Sequence, residues 1–297
     1  MSNNSNLNRA RVAINNDEYY TRYVDIEREL NHYVDQFNGK VVYCNCDDPR
    51  ESQFVRFFLL NFKRFGLKRL IASCYKPMPS LFGESATPVY LIADRQVNES
   101  RLAAFIASNV KPLKSRGDFR SYECVEFLKQ ADIVVTNPPF SLFREFVQLC
   151  LDYDKQFLII GSLGALSYKQ VIEPLISNKI RTGYHRVAYF VNGDAETHIS
   201  AFWITTLHVQ DKPPLQLSCK YKECDYPKYD NYDAIEVSKL EAIPVDYKGA
   251  MGVPVTFLTV WCHKQFDVLD YTTNHTKTLR TCCIVSWRKC RSVICSS

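Results

Sequence analysis

Ala131-Asp-Ile-Val-Val-Thr-Asn-Pro-Pro-Phe140 decides how this chain folds. The run to Thr136 has the length and β-branched content of a buried strand. It stops at Asn137-Pro138-Pro139, where two prolines hold the backbone extended and remove two N–H donors. Upstream, Ile26, Leu30, Tyr33, Val34 and Phe37 recur at helical spacing and end at Asn38-Gly39. A strand from Lys40 to Cys46 then runs into Asp47-Asp48-Pro49, a helix from Glu51 to Phe65 closes at Gly66, and Leu70 to Tyr75 is a second strand. Val89 to Ala93 reads as an inserted hairpin strand. Downstream come a helix from Phe143 to Leu151, a strand from Gln156 to Gly161 and a helix from Ser167 to Ser177. This alternation predicts an α/β fold with a doubly wound parallel sheet, whose ligands bind beyond the carboxyl ends of the strands.

The chain has 297 residues, 46% of them hydrophobic and 23% charged, which excludes disorder and coiled coil. Its longest apolar stretches, such as Phe157 to Leu166, are too short for a membrane span. The polar start MSNNSNLNRARVAINN has no secretory core, so the expectation is a soluble, cytoplasmic protein. Its 12 cysteines then read as free thiols, and spacings such as Cys44-x-Cys46 and Cys219-x4-Cys224 lack the regular pairs of a zinc site, so no metal is expected. A net charge of +5 permits an acidic partner without demanding one.

The expected organisation is a catalytic domain over 1–178, a β-rich region over 179–248, a return to the catalytic domain over 249–270, and a separate tail over 271–297. That tail has no Asp or Glu, five Lys or Arg and four cysteines. The expectation for it is an altered reading frame in place of the natural C-terminus.

The chemistry begins at Asn137. An exocyclic amine on a planar ring is a poor nucleophile because its lone pair is delocalised. The Asn137 side-chain oxygen and the Pro138 carbonyl can each accept one of its hydrogens, and such bonds favour the pyramidal nitrogen of a direct displacement. Phe140 is suited to stack on the ring. A plain Asn-Pro turn is the competing reading of the same residues, and placement after a central strand favours the site.

The tetrad resembles the (N/D/S)-P-P-(Y/F/W) hallmark of S-adenosylmethionine-dependent amino-methyltransferases, and the chain as a whole is similar to the EcoRI-type adenine-specific DNA methyltransferases. The closer likeness rests on Asp17-Glu-Tyr-Tyr-Thr21, Asp25-Ile-Glu-Arg-Glu-Leu30, Cys46-Asp-Asp-Pro-Arg-Glu-Ser-Gln-Phe54, Gly117-Asp118-Phe119, Thr136 to Glu145 and Gly252-Val-Pro-Val-Thr-Phe-Leu258, which together span about residues 17 to 270. The resemblance implies a Rossmann-like methyltransferase sheet with an appended β-rich target-recognition region. It implies that Asn137, Pro138, Pro139 and Phe140 bind an adenine flipped out of double-stranded DNA. It also implies that Tyr20, Thr21, Asp47, Asp48 and Pro49 lie near the methionine end of S-adenosylmethionine, with Asp118 and Phe119 at its adenine. The first strand lacks the glycine-rich loop common among methyltransferases, and the second, ending Ala72-Ser-Cys-Tyr75, lacks the usual acid for a ribose.

Arg181, Tyr184, His185 and Arg186 supply target recognition if the comparison holds, since Arg and aromatic side chains suit groove edges and bases. Trp203 is expected in the core, and the basic cluster Arg50, Arg56, Lys63, Arg64, Lys68 and Arg69 as a solvated face. Direct methyl transfer needs no strong base, because the methylated amine is acidic and loses its proton to water. The expected function is site-specific N6-adenine methylation by a monomer, serving restriction-modification or phage DNA protection. The residues alone leave open cytosine N4, an RNA adenine, a glutamine side chain, or an inactive DNA-binding relative.

Overall fold

A computed structural model describes residues 20–76, 87–192, 195–230, 232–272 and 282–288. Asp17, Glu18 and Tyr19 of the first quoted motif, and tail positions 273–281 and 289–297, lie outside the described residues. In chain order the elements are β1 (Tyr20–Thr21), α1 (Tyr23–Leu30), β2 (Val41–Asn45), α2 (Gln53–Asn61), β3 (Arg69–Ser73), β4 (Val89–Ala93), α3 (Leu102–Asn109), β5 (Lys111–Pro112), α4 (Tyr122–Gln130) and β6 (Ile133–Thr136). They continue with α5 (Phe143–Asp152), β7 (Gln156–Ser162), α6 (Lys169–Ile176), β8 (Arg181–Asn192), β9 (Ala195–Thr205), β10 (Ala234–Glu236), β11 (Ala250–Pro254), β12 (Phe266–Thr272) and β13 (Cys282–Trp287). The chain divides into two compact units, Met1–Ala165 with Asn178–Val209, and Leu166–Ser177 with Gln210–Ser297.

The first unit is built on a nine-stranded sheet in the order β1-β8-β9-β7-β6-β2-β3-β4-β5. β7, β6, β2 and β3 run parallel, as the alternation predicts. The flanking strands are all antiparallel, so the sheet is mixed rather than wholly parallel. Strands covered on both faces need near-continuous apolar runs, and β2 and β6 are buried at every residue. Asp132 Oδ2 accepts the Val41 amide at 2.7 Å, pinning the starts of these two strands together. The chain steps from β2 to β3 on one side and returns as β6 on the other, so the winding reverses between β2 and β6. Ligands of open α/β sheets bind above such a point.

α2 buries Phe54, Val55, Phe57, Phe58 and Leu59, each side chain contributing about 1.5–3 kcal/mol against exposure. Ser52 caps its N-terminus, with Oγ accepting from the Phe54 amide at 3.1 Å. The helix expected through Phe37 ends instead at Leu30, and Val34–Phe37 forms a separate 3-10 turn. α3 and α4 fall in stretches that sequence periodicity left unassigned.

The domain boundary expected at residue 178 is corrected. β9 pairs antiparallel with β7 through Leu158↔Thr205 to Ser162↔Ala201, and β8 pairs with β9, so 181–205 completes the first sheet. A strand's alternation reports that one face or both are covered, not which strand lies beside it. Trp203 is fully buried in this core, as expected.

The second unit contains α6 and a four-stranded sheet in the order β10-β11-β13-β12. Gly252 to Leu258 therefore belongs to this unit through β11 and the turn after it, not to a return into the catalytic domain. Cys282–Trp287 lies between β11 and β12, paired antiparallel with both, and buries Cys283, Ile284 and Val285. That part of the expected separate tail is integral to the sheet, because six residues with both ladders filled have no unpaired edge to stand apart on. Among the described residues no helix is long and apolar enough to cross a membrane. Cys44, Cys74, Cys124 and Cys150 are buried free thiols.

Candidate active site

The site forms where β6 and β2 end side by side. Asn137 follows the last residue of β6, the extended Asn137-Pro138-Pro139 segment leaves the sheet, and Phe140–Leu142 makes one 3-10 turn before α5 begins. The turn is closed by the Leu142 amide donating to the Pro139 carbonyl at 3.0 Å. Gly161 of β7 lets the next segment settle on the sheet, since a Cβ there would come within 2.7 Å of the Phe143 ring.

Beside Asn137, β2 runs into Cys46, whose φ of 76° turns the chain, and then into the buried residues Asp47, Asp48 and Pro49. The two aspartates are built differently. Asp47 accepts Ser52 Oγ at 2.7 Å on one oxygen, and its other oxygen meets the hydroxyl of Thr136, the residue before Asn137. Thr136 Oγ1 also lies against the Asn45 carbonyl oxygen. Burial pushes the Asp47 carboxyl up to about 7, with the Thr136 and Ser52 hydroxyls pulling the other way. Asp48 is buried as well, which alone raises a carboxyl. Arg50 grips it through Nε at 2.9 Å and Nη2 at 2.7 Å, Lys76 Nζ lies 3.2 Å away, and together these cations hold it below the usual carboxylate range.

The remaining expected residues arrive by three routes. Thr21 reaches this edge because β1 pairs with the end of β8, Thr21 opposite Phe190 and Tyr20 opposite Val191. Phe190 in turn packs edge-on against Phe140, with ring centroids 6.1 Å apart. Asp118 is delivered by Gly117, at φ 78°, where a Cβ would sit 2.0 Å from the Cys74 carbonyl oxygen just past β3. Arg120 bonds Asp118 through Nε at 2.9 Å and Nη2 at 2.7 Å and lowers its carboxyl. Phe119 is buried against Phe146 of α5, 5.1 Å between rings, which gives its side chain a packing role.

The four expected DNA contacts are not gathered in a separate recognition region. They lie along β8, which is separated from β6 by β9 and β7, about 14 Å away at ~4.8 Å per strand. Arg181 pairs with Thr205, and the exposed Arg186 with Phe202. The bulge between them is tied down by Glu29 of α1, which is completely buried. Glu29 accepts the amides of Tyr184 at 2.8 Å and His185 at 2.9 Å and the Tyr33 hydroxyl at 2.9 Å, with His185 Nδ1 also 2.9 Å away. Tyr184 stacks on His32 at 4.0 Å. Tyr184 and His185 are thereby docked on α1.

Sequence reading missed Asn45, Ser52, Lys76, Thr136, Phe190 and Glu29. Ser52 and Thr136 stand inside quoted motifs, and their polarity at the edge of apolar runs was the available signal. Phe190 gave none, because Phe140 is 50 residues distant in sequence, and for Glu29 only Tyr33, four residues on, is local, while Tyr184 and His185 lie more than 150 residues away. Among the described residues no group of three or more His, Cys, Asp or Glu is placed to hold a metal.

The family model for the adenine-specific methyltransferase EcoRI matches residues 6–292. The chain belongs to that family. Its relatives include the type II methyltransferase M.EcoRI of Escherichia coli, 43% identical over 280 residues and covering 86% of each chain. M.MgeORF184P of Mycoplasma genitalium is 38% identical over 93% of this chain and 89% of its own. M.MpnI of Mycoplasma pneumoniae is 37% identical over 93% and 88%. No solved structure gives a match. Membership makes the chain an adenine-specific DNA methyltransferase, and methyltransferases of this family use S-adenosylmethionine. The matched span includes β13.

Proposed function

We propose that the chain methylates the N6 amine of an adenine flipped out of duplex DNA at a specific site, as the modification half of a type II system, and acts as a monomer on each strand in turn. The observation that carries this reading is the placement of Asn137-Pro138-Pro139-Phe140 at the carboxyl end of β6, beside the β2 turn, where the sheet's winding reverses.

The residues present fit S-adenosylmethionine. Thr21 Oγ1 and both side-chain amide atoms of Asn45 are buried with no hydrogen-bond partner among the described residues, and buried polar groups call for one. Asp48 with Arg50 and Lys76 adds a carboxylate next to two cations. A hydroxyl, an amide, a carboxylate and paired cations suit the ammonium and carboxylate of a methionine end. Asp118 is the acceptor for the adenine amine of the cofactor. When bound, the cofactor would supply a sulfonium methyl open to direct attack by an amine, with the thioether sulfur as leaving group.

The chain's own part is to prepare that amine. Asn137 and the Pro138 carbonyl accept its two hydrogens, drawing the nitrogen lone pair out of conjugation as the transition state forms. Phe140, braced by Phe190, stacks on the base and fixes its plane. The exposed Arg186 of β8 contacts DNA outside the flipped nucleotide. The test is mass spectrometry of nucleosides from plasmid DNA grown with this chain in a methylation-deficient host. N6-methyladenine is expected with the wild type and absent with Asn137→Ala, and a plasmid without the modified base refutes the reading.

A further inference from the structure

Asp47 stands in the turn next to the tetrad, yet neither of its oxygens is turned to a ligand. One is taken by Ser52, the cap of α2, and the other by Thr136, which precedes Asn137 in the chain. The Asp47 backbone amide donates to the Ser73 carbonyl at 2.9 Å, so the residue is also fixed to the end of β3. Buried Asp47 thus joins four pieces: it stands in the turn after β2, its carboxyl ties the start of α2 to the last residue of β6, and its backbone amide ties in the end of β3.

The proton count explains how the bracket closes. Thr136 has one hydroxyl proton and two acceptors against it, Asp47 Oδ2 and the Asn45 carbonyl. A neutral Asp47 donates from Oδ2 to Thr136 Oγ1, Thr136 passes its own proton to the Asn45 carbonyl, and Ser52 still donates to Oδ1. Every member then has a partner. An ionised Asp47 leaves Thr136 able to serve only one of its two acceptors. Burial and the neighbouring Asp48 both favour the neutral form, and the thiols of Cys44 and Cys46, the other titratable groups beside it, are themselves raised by burial.

We infer that Asp47 is a positioning residue which, acting through Thr136, holds the Asn137 tetrad in register with the turn that carries the cofactor. The inference rests on the site reading above but assigns Asp47 a different task from the cofactor contact expected of it. It touches neither the base nor the cofactor. It sets the distance between the two elements that hold them, where an error of about 1 Å costs on the order of a hundredfold in rate.

The test compares full-length Asp47→Ala, Asp47→Asn, Thr136→Val, Thr136→Ser and the Asp47→Ala/Thr136→Val double variant. It measures methyl transfer to duplex DNA at saturating substrates and S-adenosylmethionine binding by calorimetry. Asp47→Ala and Thr136→Val are expected to lower kcat about 10- to 100-fold. The double variant should be no worse than the poorer single one, because both break the same link. Asn mimics the neutral acid, donating from its amide and accepting on its oxygen, so Asp47→Asn and Thr136→Ser should stay within about threefold of wild type. Cofactor Kd should move less than about threefold in Thr136→Val. Wild-type kcat in Thr136→Val overturns the proposal. So does cofactor binding weakened about tenfold or more in Asp47→Asn with kcat retained, which marks Asp47 as a direct ligand. If Asp47→Ala does not fold, the Thr136→Val and Asp47→Asn pair decides. A wild-type chain that transfers no methyl group removes the underlying reading, and that result differs from any change confined to variants.

Discussion

Phe190 of β8 meets Phe140 of the tetrad edge-on, with ring centroids 6.1 Å apart and planes at 89°. Phe190 is fully buried, whereas Phe140 is half-buried, so the core supplies a fixed wall for the ring proposed to stack on the base. Such an edge contact contributes about 0.5–1.5 kcal/mol beyond area burial. Phe190→Leu keeps the strand and the apolar volume but loses the oriented edge. Its kcat/KM on a duplex oligonucleotide is expected to fall about 2- to 10-fold, with cofactor Kd unchanged. Weakened cofactor binding in place of slower transfer would count against this role.

Glu29 is the anchor of the β8 bulge. Its buried carboxyl takes two backbone amides and the Tyr33 hydroxyl, and Gly183 lets it approach, since a Cβ there would fall 2.1 Å from Oε1. Glu29→Ala strands those donors in the core. The expected cost is about 3–5 kcal/mol in urea unfolding, with Glu29→Gln intermediate because one oxygen still accepts. A loss under about 1 kcal/mol would mean that water replaces the carboxyl.

Gly117 combines a φ of 78° with no room for a side chain, its would-be Cβ lying 2.0 Å from the Cys74 carbonyl oxygen. Gly117→Ala therefore strains the backbone and pushes Asp118 away from the end of β3. A stability loss of about 1–3 kcal/mol is expected. Weaker S-adenosylmethionine binding should accompany it, read in one calorimetric titration. Unchanged affinity in a destabilised variant would separate Asp118 from the cofactor.

What could be read before the structure follows from the range of the physics involved. The central strands and α2 were visible because burial on both faces, or on one helical stripe, writes itself into a dozen consecutive residues. Asn137 to Phe140 was visible because proline chemistry is local. The pattern of β8 and β9 reads as strands but does not say which sheet they join, since Trp203 and Phe202 look the same whichever sheet they enter. β13 was hidden by its short length and its cysteines, although Cys283 and Val285 fill a central position. Phe190 against Phe140 and Glu29 under Tyr184 join residues 50 and 155 positions apart, and no window along the chain contains both partners. The surroundings of Arg181, Tyr184, His185 and Arg186 are the least legible, because a basic or aromatic residue in a strand pattern does not report which helix covers it.

Asp47 makes the chain's stability depend on pH in a direction opposite to that of Asp48. An unfolded aspartate titrates near 3.9, while the folded Asp47 carboxyl is raised to about 7. Between these values the native state binds more protons than the unfolded one. The contribution is therefore fully present below about pH 4 and is lost as pH rises through about 7. Asp48, lowered by Arg50 and Lys76 against its burial, contributes above the unfolded value and loses that contribution in acid. Asp47→Asn removes the first dependence while keeping the hydrogen-bond bracket. In scanning calorimetry at constant ionic strength, Tm of the wild type should fall relative to that of the variant as pH goes from about 5.5 to 8.5. The difference between the two curves isolates Asp47, because every other titrating group is shared. Parallel curves would show that Asp47 titrates alike in the folded and unfolded chain and would refute the raised carboxyl.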